Sequence, residues 1–200
     1  MIFIEGPRNA GKTFLLDKYL KAFPNRFFVY KFPYFDLYEK LELKKDINAG
    51  NYFSFGKDLD LLSLAKANLL PENLLLDRGF VSSIVFAIMF RKTKPEEMTH
   101  YIELIKQDYK EVKIDILYVE PETEIRNKKG LDFRVKDKTE LPSLNLTNNA
   151  ITDHSFEFNY NWVLQQLSYT PNITIHYFKN NFDDNSIEEF NSLLNSLYKV

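Results

Sequence analysis

The chain has no cysteine among its 200 residues, which removes disulfides, a thiolate nucleophile and any cysteine-ligated zinc site. Histidine is scarce as well. His100, His154 and His176 lie far apart, with no helical ligand spacing between any two, so each reads as a surface or strand residue rather than a metal ligand. Net charge is nearly absent: 26 Lys and Arg stand against 28 Asp and Glu, leaving −2. Nothing therefore draws the whole chain to nucleic acid or an anionic membrane, and any polyanion site must be a local cluster of cations. Long apolar runs are missing too. The most apolar stretch, 80–90, is closed in by Asp77-Arg78 and Arg91-Lys92, well short of the roughly 20 residues of a membrane span. The opening Met1-Ile2-Phe3-Ile4 lacks a basic leader. A soluble cytoplasmic protein without a membrane partner is the expectation.

What is present is apolar mass. At 44% hydrophobic and 16% aromatic residues, the chain can bury one good core and is too short for two comfortable ones, so residues 1–200 are expected to form a single domain. Short runs rich in β-branched and aromatic residues predict strands over 2–5, 26–32, 73–77, 112–119 and 172–178. Between them the spacing turns helical: Phe14, Leu15, Leu16, Tyr19 and Leu20 make one face, and Ile187, Phe190, Leu193, Leu194 and Leu197 another. The 80–90 segment is apolar nearly all round, which predicts a helix buried between the sheet and another layer or a second subunit. Alternating strands and helices imply a three-layer α/β/α fold on a five-stranded parallel sheet. The polar stretch 129–153 reads as a loop.

Ligands of such sheets sit at the carboxyl ends of the strands, so the residues after each strand carry the chemistry. After the first strand stands Gly6-Pro7-Arg8-Asn9-Ala10-Gly11-Lys12-Thr13, a match to G-x-x-x-x-G-K-[ST] between a strand and an amphipathic helix. Each position has a physical reason. The glycines let the backbone curl so that successive N–H groups, with Asn9 and Ala10 between them, point inward at phosphate oxygens. The helix starting near Lys12 adds its positive end. Lys12 is expected to reach the β- and γ-phosphates and the Thr13 hydroxyl to bind Mg²⁺. A nucleoside triphosphate, ATP, is thus the expected cofactor.

The third strand end gives Asp77-Arg78-Gly79-Phe80-Val81-Ser82-Ser83. An acid here can hold Mg²⁺ or polarise an attacking oxygen, and an Arg beside it can clamp a phosphate bidentately. With these motifs the sequence resembles thymidylate kinases and, more broadly, the nucleoside and nucleotide kinases of the P-loop superfamily. Ile4-Glu5-Gly6 through Thr13 is similar to the family's E-G-x-x-x-x-G-K-[ST]. Lys31-Phe32-Pro33 is similar to its R-F-P, and Asp77-Arg78 with Ser82 and Ser83 to its D-R-Y-x-x-S. Phe53 and Lys57, 24 and 20 residues ahead of Asp77, stand where the family keeps a base-stacking Phe and a phosphate-binding Arg. The resemblance covers most of 1–135 and implies Phe32, Phe53, Lys57 and Arg78 on the acceptor side, with a homodimer packed through helices. The pattern also departs from the family: Arg8 and Asn9 replace an Asp-Arg pair inside the loop, and Tyr34-Phe35 replace the Arg after F-P. Arg8 is expected to restore one of those charges at the catalytic centre.

After the fourth strand, Glu120-Pro121-Glu122-Thr123-Glu124-Ile125-Arg126-Asn127-Lys128-Lys129-Gly130 has the charge order of an ordinary short helix. Kinases of the resembled superfamily place a cationic lid here, over about 120–150, and phosphoryl transfer needs such cations. Arg126 and Arg134 are the expected transition-state contacts. Lys179-Asn180-Asn181 either lines the adenine pocket or makes a plain turn.

The sequence therefore predicts an ATP- and Mg²⁺-dependent phosphotransferase. Its favoured acceptor is a deoxynucleoside monophosphate such as thymidylate; a nucleoside, or a polynucleotide end or modified base, is the alternative. A nucleotide-binding module without turnover is the reading from another class.

Overall fold

The computed structural model describes residues 1–7, 9–30, 47–91, 93–122 and 146–198; for residues 47, 48, 90, 91 and 146–154 it describes the backbone alone. The elements run β1 (Ile2–Glu5), α1 (Lys12–Ala22), β2 (Phe28–Tyr30), α2 (Ile47–Lys66), β3 (Leu74–Asp77), α3 (Phe80–Arg91), α4 (Pro95–Asp108), β4 (Ile114–Pro121), α5 (Leu146–Leu167), β5 (Ile173–Asn180) and α6 (Asp184–Leu197). The five strands pair in the order β2-β3-β1-β4-β5, every pair parallel. β1 therefore lies in the middle, and its carboxyl end opens on the phosphate loop.

Side chains alternate across a strand, so one sheet feeds two cores. Phe3, Leu74, Leu76, Ile114, Ile116 and Tyr118 join the buried faces of α2 to α5. Ile2, Ile4, Leu75, Leu117 and Val119 join α1 and α6. This is the expected three-layer α/β/α fold. Among the described residues no helix is long and apolar enough to cross a membrane.

Three local expectations need correction. Phe14 is 54% exposed, so the α1 core face is Leu15, Leu16 and Tyr19; the first turn of that helix belongs to the phosphate loop, not to the core. β4 continues through Pro121, opposite Asn180 on β5, where a helix start was expected. A strand terminus tolerates proline because the ladder needs no further N–H there. The 129–153 loop is also too long: α5 begins at Leu146. The packed half of that helix further along carries the apolar periodicity, and the polar first turns simply extend it. The rest of the lid, 123–145, lies outside the described residues, as do Arg8 and Phe32.

Candidate active site

The phosphate loop takes a shape that its composition requires. Gly6 has φ +138°, and a Cβ there would strike the Val119 carbonyl of β4. Gly11 has φ +81° and caps α1. Between them Asn9 adopts the left-handed conformation at φ 58°, which asparagine tolerates better than most residues. The loop is tied from behind by Asn180 at the end of β5, whose Nδ2 donates to the Ala10 carbonyl at 2.8 Å and whose Oδ1 accepts from the Phe182 N–H at 2.9 Å. Asn180 thus supports the loop.

Lys12 is 5% exposed. Its ammonium donates to the Gly6 and Pro7 carbonyls at 2.8 and 2.6 Å. Burial, and then the charge of Arg78, hold its pKa well below the usual lysine range; Asp77 and Glu5 oppose this. The ammonium is short of negative charge where a phosphate would supply it.

Arg78 has φ +75°, a strained conformation for a long side chain. Its N–H donates to the Ile4 carbonyl at 3.1 Å, which aims the side chain back across β1. Nη1 reaches the Gly6 carbonyl at 3.3 Å, Ser82 Oγ at 3.3 Å and the Tyr160 hydroxyl at 3.2 Å. The guanidinium also lies 5.3 Å from the Phe86 ring centre. Lys12 and Arg78 therefore share one carbonyl, that of Gly6, and converge on the loop from two sides.

Beneath them lies Glu5, fully buried. Its carboxylate accepts from the Gly79 N–H at 2.8 Å and from the Ser82 hydroxyl. Ser82 and Tyr160 are 2.8 Å apart. Burial pushes the Glu5 carboxyl up, opposed by the Ser82 hydrogen bond and the Arg78 charge. Burial also pushes the Tyr160 hydroxyl up to about 12, so it remains a protonated donor. The network joins β1, α3 and α5 and fixes Arg78 through neighbours on each.

Gly6, Ala10, Gly11, Lys12 and Arg78 thus come together as expected, and the Asp77 charge reaches Lys12. Asn9 and Thr13 are exposed at the loop. For Mg²⁺ the donor set is one hydroxyl, Thr13, and one carboxylate, Asp77; no group of three acidic or histidine side chains that could hold a metal occurs among the described residues. That set fits Mg²⁺, which keeps several waters and takes its remaining ligands from substrate phosphates. On α2, Phe53 is half-buried and the Lys57 ammonium sits 2.8 Å from Asp58. Arg8, Phe32, Arg126 and Arg134 lie outside the described residues. Glu5 and Tyr160 were not predicted as site residues. An acid closing an otherwise apolar strand was a usable signal for Glu5. For Tyr160, one of 12 tyrosines, the sequence held none.

No protein-family model and no curated protein matches this sequence. Solved structures do share the fold. Deoxyadenosine kinase from M. mycoides with bound dCTP superposes with a TM-score of 0.56 at 17% identity, covering 98% of this chain and 100% of that one. The same enzyme with the products dCMP and dCDP gives 0.59 at 20% identity, covering 98% of each chain. The YorR protein from Bacillus subtilis, in complex with phosphorylated GDP, gives 0.56 at 16% identity over 98% and 94%. The chain therefore has the α/β fold of P-loop kinases.

Proposed function

We propose that this protein is a P-loop kinase that transfers the γ-phosphoryl group of ATP to a deoxynucleoside or a deoxynucleoside monophosphate. One observation carries the reading: Lys12 and Arg78, two buried or half-buried cations on different elements, converge on the Gly6 carbonyl at the mouth of the loop. A cradle for a bound phosphate needs the first; a second cation fixed on the acceptor side suits transfer. The loop amides and the start of α1 would bind the donor phosphates. Lys12 would exchange its carbonyl partners for phosphate oxygens. Mg²⁺ held by Thr13 and Asp77 would supply charge neutralisation across the donor phosphates when bound. Arg78, pinned by Ser82 and Tyr160, would orient the acceptor and stabilise the charge on the moving group. Catalysis then rests on positioning and electrostatics, with no covalent enzyme intermediate.

The motif likeness to thymidylate kinases supports a monophosphate acceptor. The fold shared with a deoxyadenosine kinase supports a nucleoside. Incubation with ATP, Mg²⁺ and a panel of deoxynucleosides, their monophosphates and 5′-hydroxyl DNA separates these. Transfer to one class is expected, and Arg78→Ala should reduce it by at least 100-fold, the scale for a positioned transition-state cation. ATP binding without transfer to any acceptor would sink the kinase reading in favour of a binding module.

A further inference from the structure

The described residues hold a second buried carboxylate that the reading above does not use. Asp58 lies on α2, 2% exposed, and neither of its oxygens has a hydrogen-bond partner among the described residues. The Lys57 ammonium is 2.8 Å from Oδ1 but is not aligned to donate. Across the seam the Tyr101 hydroxyl of α4, within reach of the Asp58 charge, is also buried and unpartnered. The Tyr101 ring is held 4.3 Å from that of Phe55, one turn from Asp58. Leaving a buried carboxylate unsatisfied costs several kcal/mol. Two such groups facing one another ask for a donor that the chain does not provide.

The position of the pair says what that donor belongs to. Asp58 stands beside Ser83, and Ser83 follows Ser82, the residue that holds Arg78. The carboxylate is thus one residue behind the wall that carries the acceptor-side cation. An acceptor whose reacting oxygen lies at Arg78 projects its base away from the phosphate loop, between α2 and α3.

We infer that Asp58 reads the acceptor's base and takes one with an exocyclic amino group (adenine, guanine or cytosine) in preference to thymine or uracil. This rests on the kinase reading above. An ionised carboxylate only accepts hydrogen bonds. An amino group offers it donors, whereas thymine presents one N–H flanked by two carbonyl oxygens that repel it. Rejection by a site with a buried polar group left unpaired is the strong form of specificity. The inference runs against thymidylate as the acceptor.

The test uses the full chain and the same acceptor panel, read as kcat/KM for each base in wild type, Asp58→Asn and Asp58→Ser. Wild type should favour the amino-bearing bases over thymine. Asp58→Asn, which adds a donor for a carbonyl, should lower that ratio by about 10- to 100-fold, the worth of one hydrogen bond to a charged group. A wild type that takes thymine as well as adenine, guanine and cytosine overturns the inference, even if no variant folds. So does a stable Asp58→Asn with an unchanged ratio, which would make Asp58 a buried core acid satisfied by water. Should wild type transfer to no acceptor, the kinase reading falls. Thermal shifts with the four deoxynucleosides then still decide whether amino-bearing bases bind better, and equal shifts reject the base assignment.

Discussion

Glu5 and Lys12 sit one above the other at the end of β1, and burial moves each away from its charged form. For Glu5 the sign is direct. A carboxyl whose folded pKa is raised contributes stability that is fully present below its ordinary value of 4.5 and is lost as pH rises through the folded value. Glu5→Gln has no such dependence but can still accept from the Gly79 N–H. The stability difference between the two proteins should therefore shift toward Gln as pH climbs above 4.5. Urea midpoints across that range check this, and a constant gap would reject it. Lys12 behaves in the opposite sense. Its pKa is depressed in the empty site, and phosphate must raise it, so binding should take up protons in the window between the two values. Near pH 9, where phosphate itself is fully ionised, ATP binding should give different heats in buffers of different ionisation enthalpy. Equal heats would show that Lys12 is already fully charged. Tyr160 acts through Arg78 and so is a positioning residue. Tyr160→Phe should lower kcat about 10-fold with little change in the ATP KM; an equal rise in that KM would place it on the donor side instead.

Among the elements, α6 was the most legible. Its apolar spacing predicted the helix, and Phe190 and Leu194 are fully buried against the sheet. Phe190 packs edge-on against Phe178 of β5 at 5.4 Å. Phe190→Ala should cost about 3–5 kcal/mol, measured by chemical denaturation, because a large ring leaves a cavity that a helix clamped at its other turns cannot fill. The cost also reaches the site, since β5 ends in Asn180, which ties the phosphate loop. α3 was legible for a similar reason: a segment apolar on all sides can only be buried, and it lies among α2, α4 and α5. α1 was half legible. Its spacing found Leu15, Leu16 and Tyr19 but counted Phe14, since periodicity cannot tell a core face from a first turn reserved for a ligand. The start of α5 was illegible. Its first turns are polar, and what holds them in a helix is continuity with the packed turns around Phe156 and Tyr160 rather than any local preference.

For the whole molecule, ligand and fold are linked. A site built from β1, α1, β3, α3, α5 and β5 exists only when all of them are in place, so a ligand bound there stabilises the whole domain. ATP with Mg²⁺ at about 100 times its Kd should add about 2.7 kcal/mol and raise Tm by about 5–10 °C. Lys12→Met should lose most of that shift while keeping the ligand-free Tm within a few degrees. An undiminished shift in the variant would place ATP elsewhere.

The sequence alone determined the phosphate loop, the strand–helix alternation and hence the three-layer fold, because these follow from local rules. Glycine is needed where φ is positive, apolar residues repeat with the period of their element, and a lysine and threonine follow at fixed spacing. Only the tertiary structure decided that Glu5, Ser82 and Tyr160 hold Arg78, that Asn180 ties the loop, and that Asp58 meets Tyr101. Tyr160 stands 82 residues from Arg78, and Asn180 stands 170 from Ala10. Contacts over such distances are set by the order of strands in the sheet, which brings chain segments together without leaving a mark in the sequence near either of them.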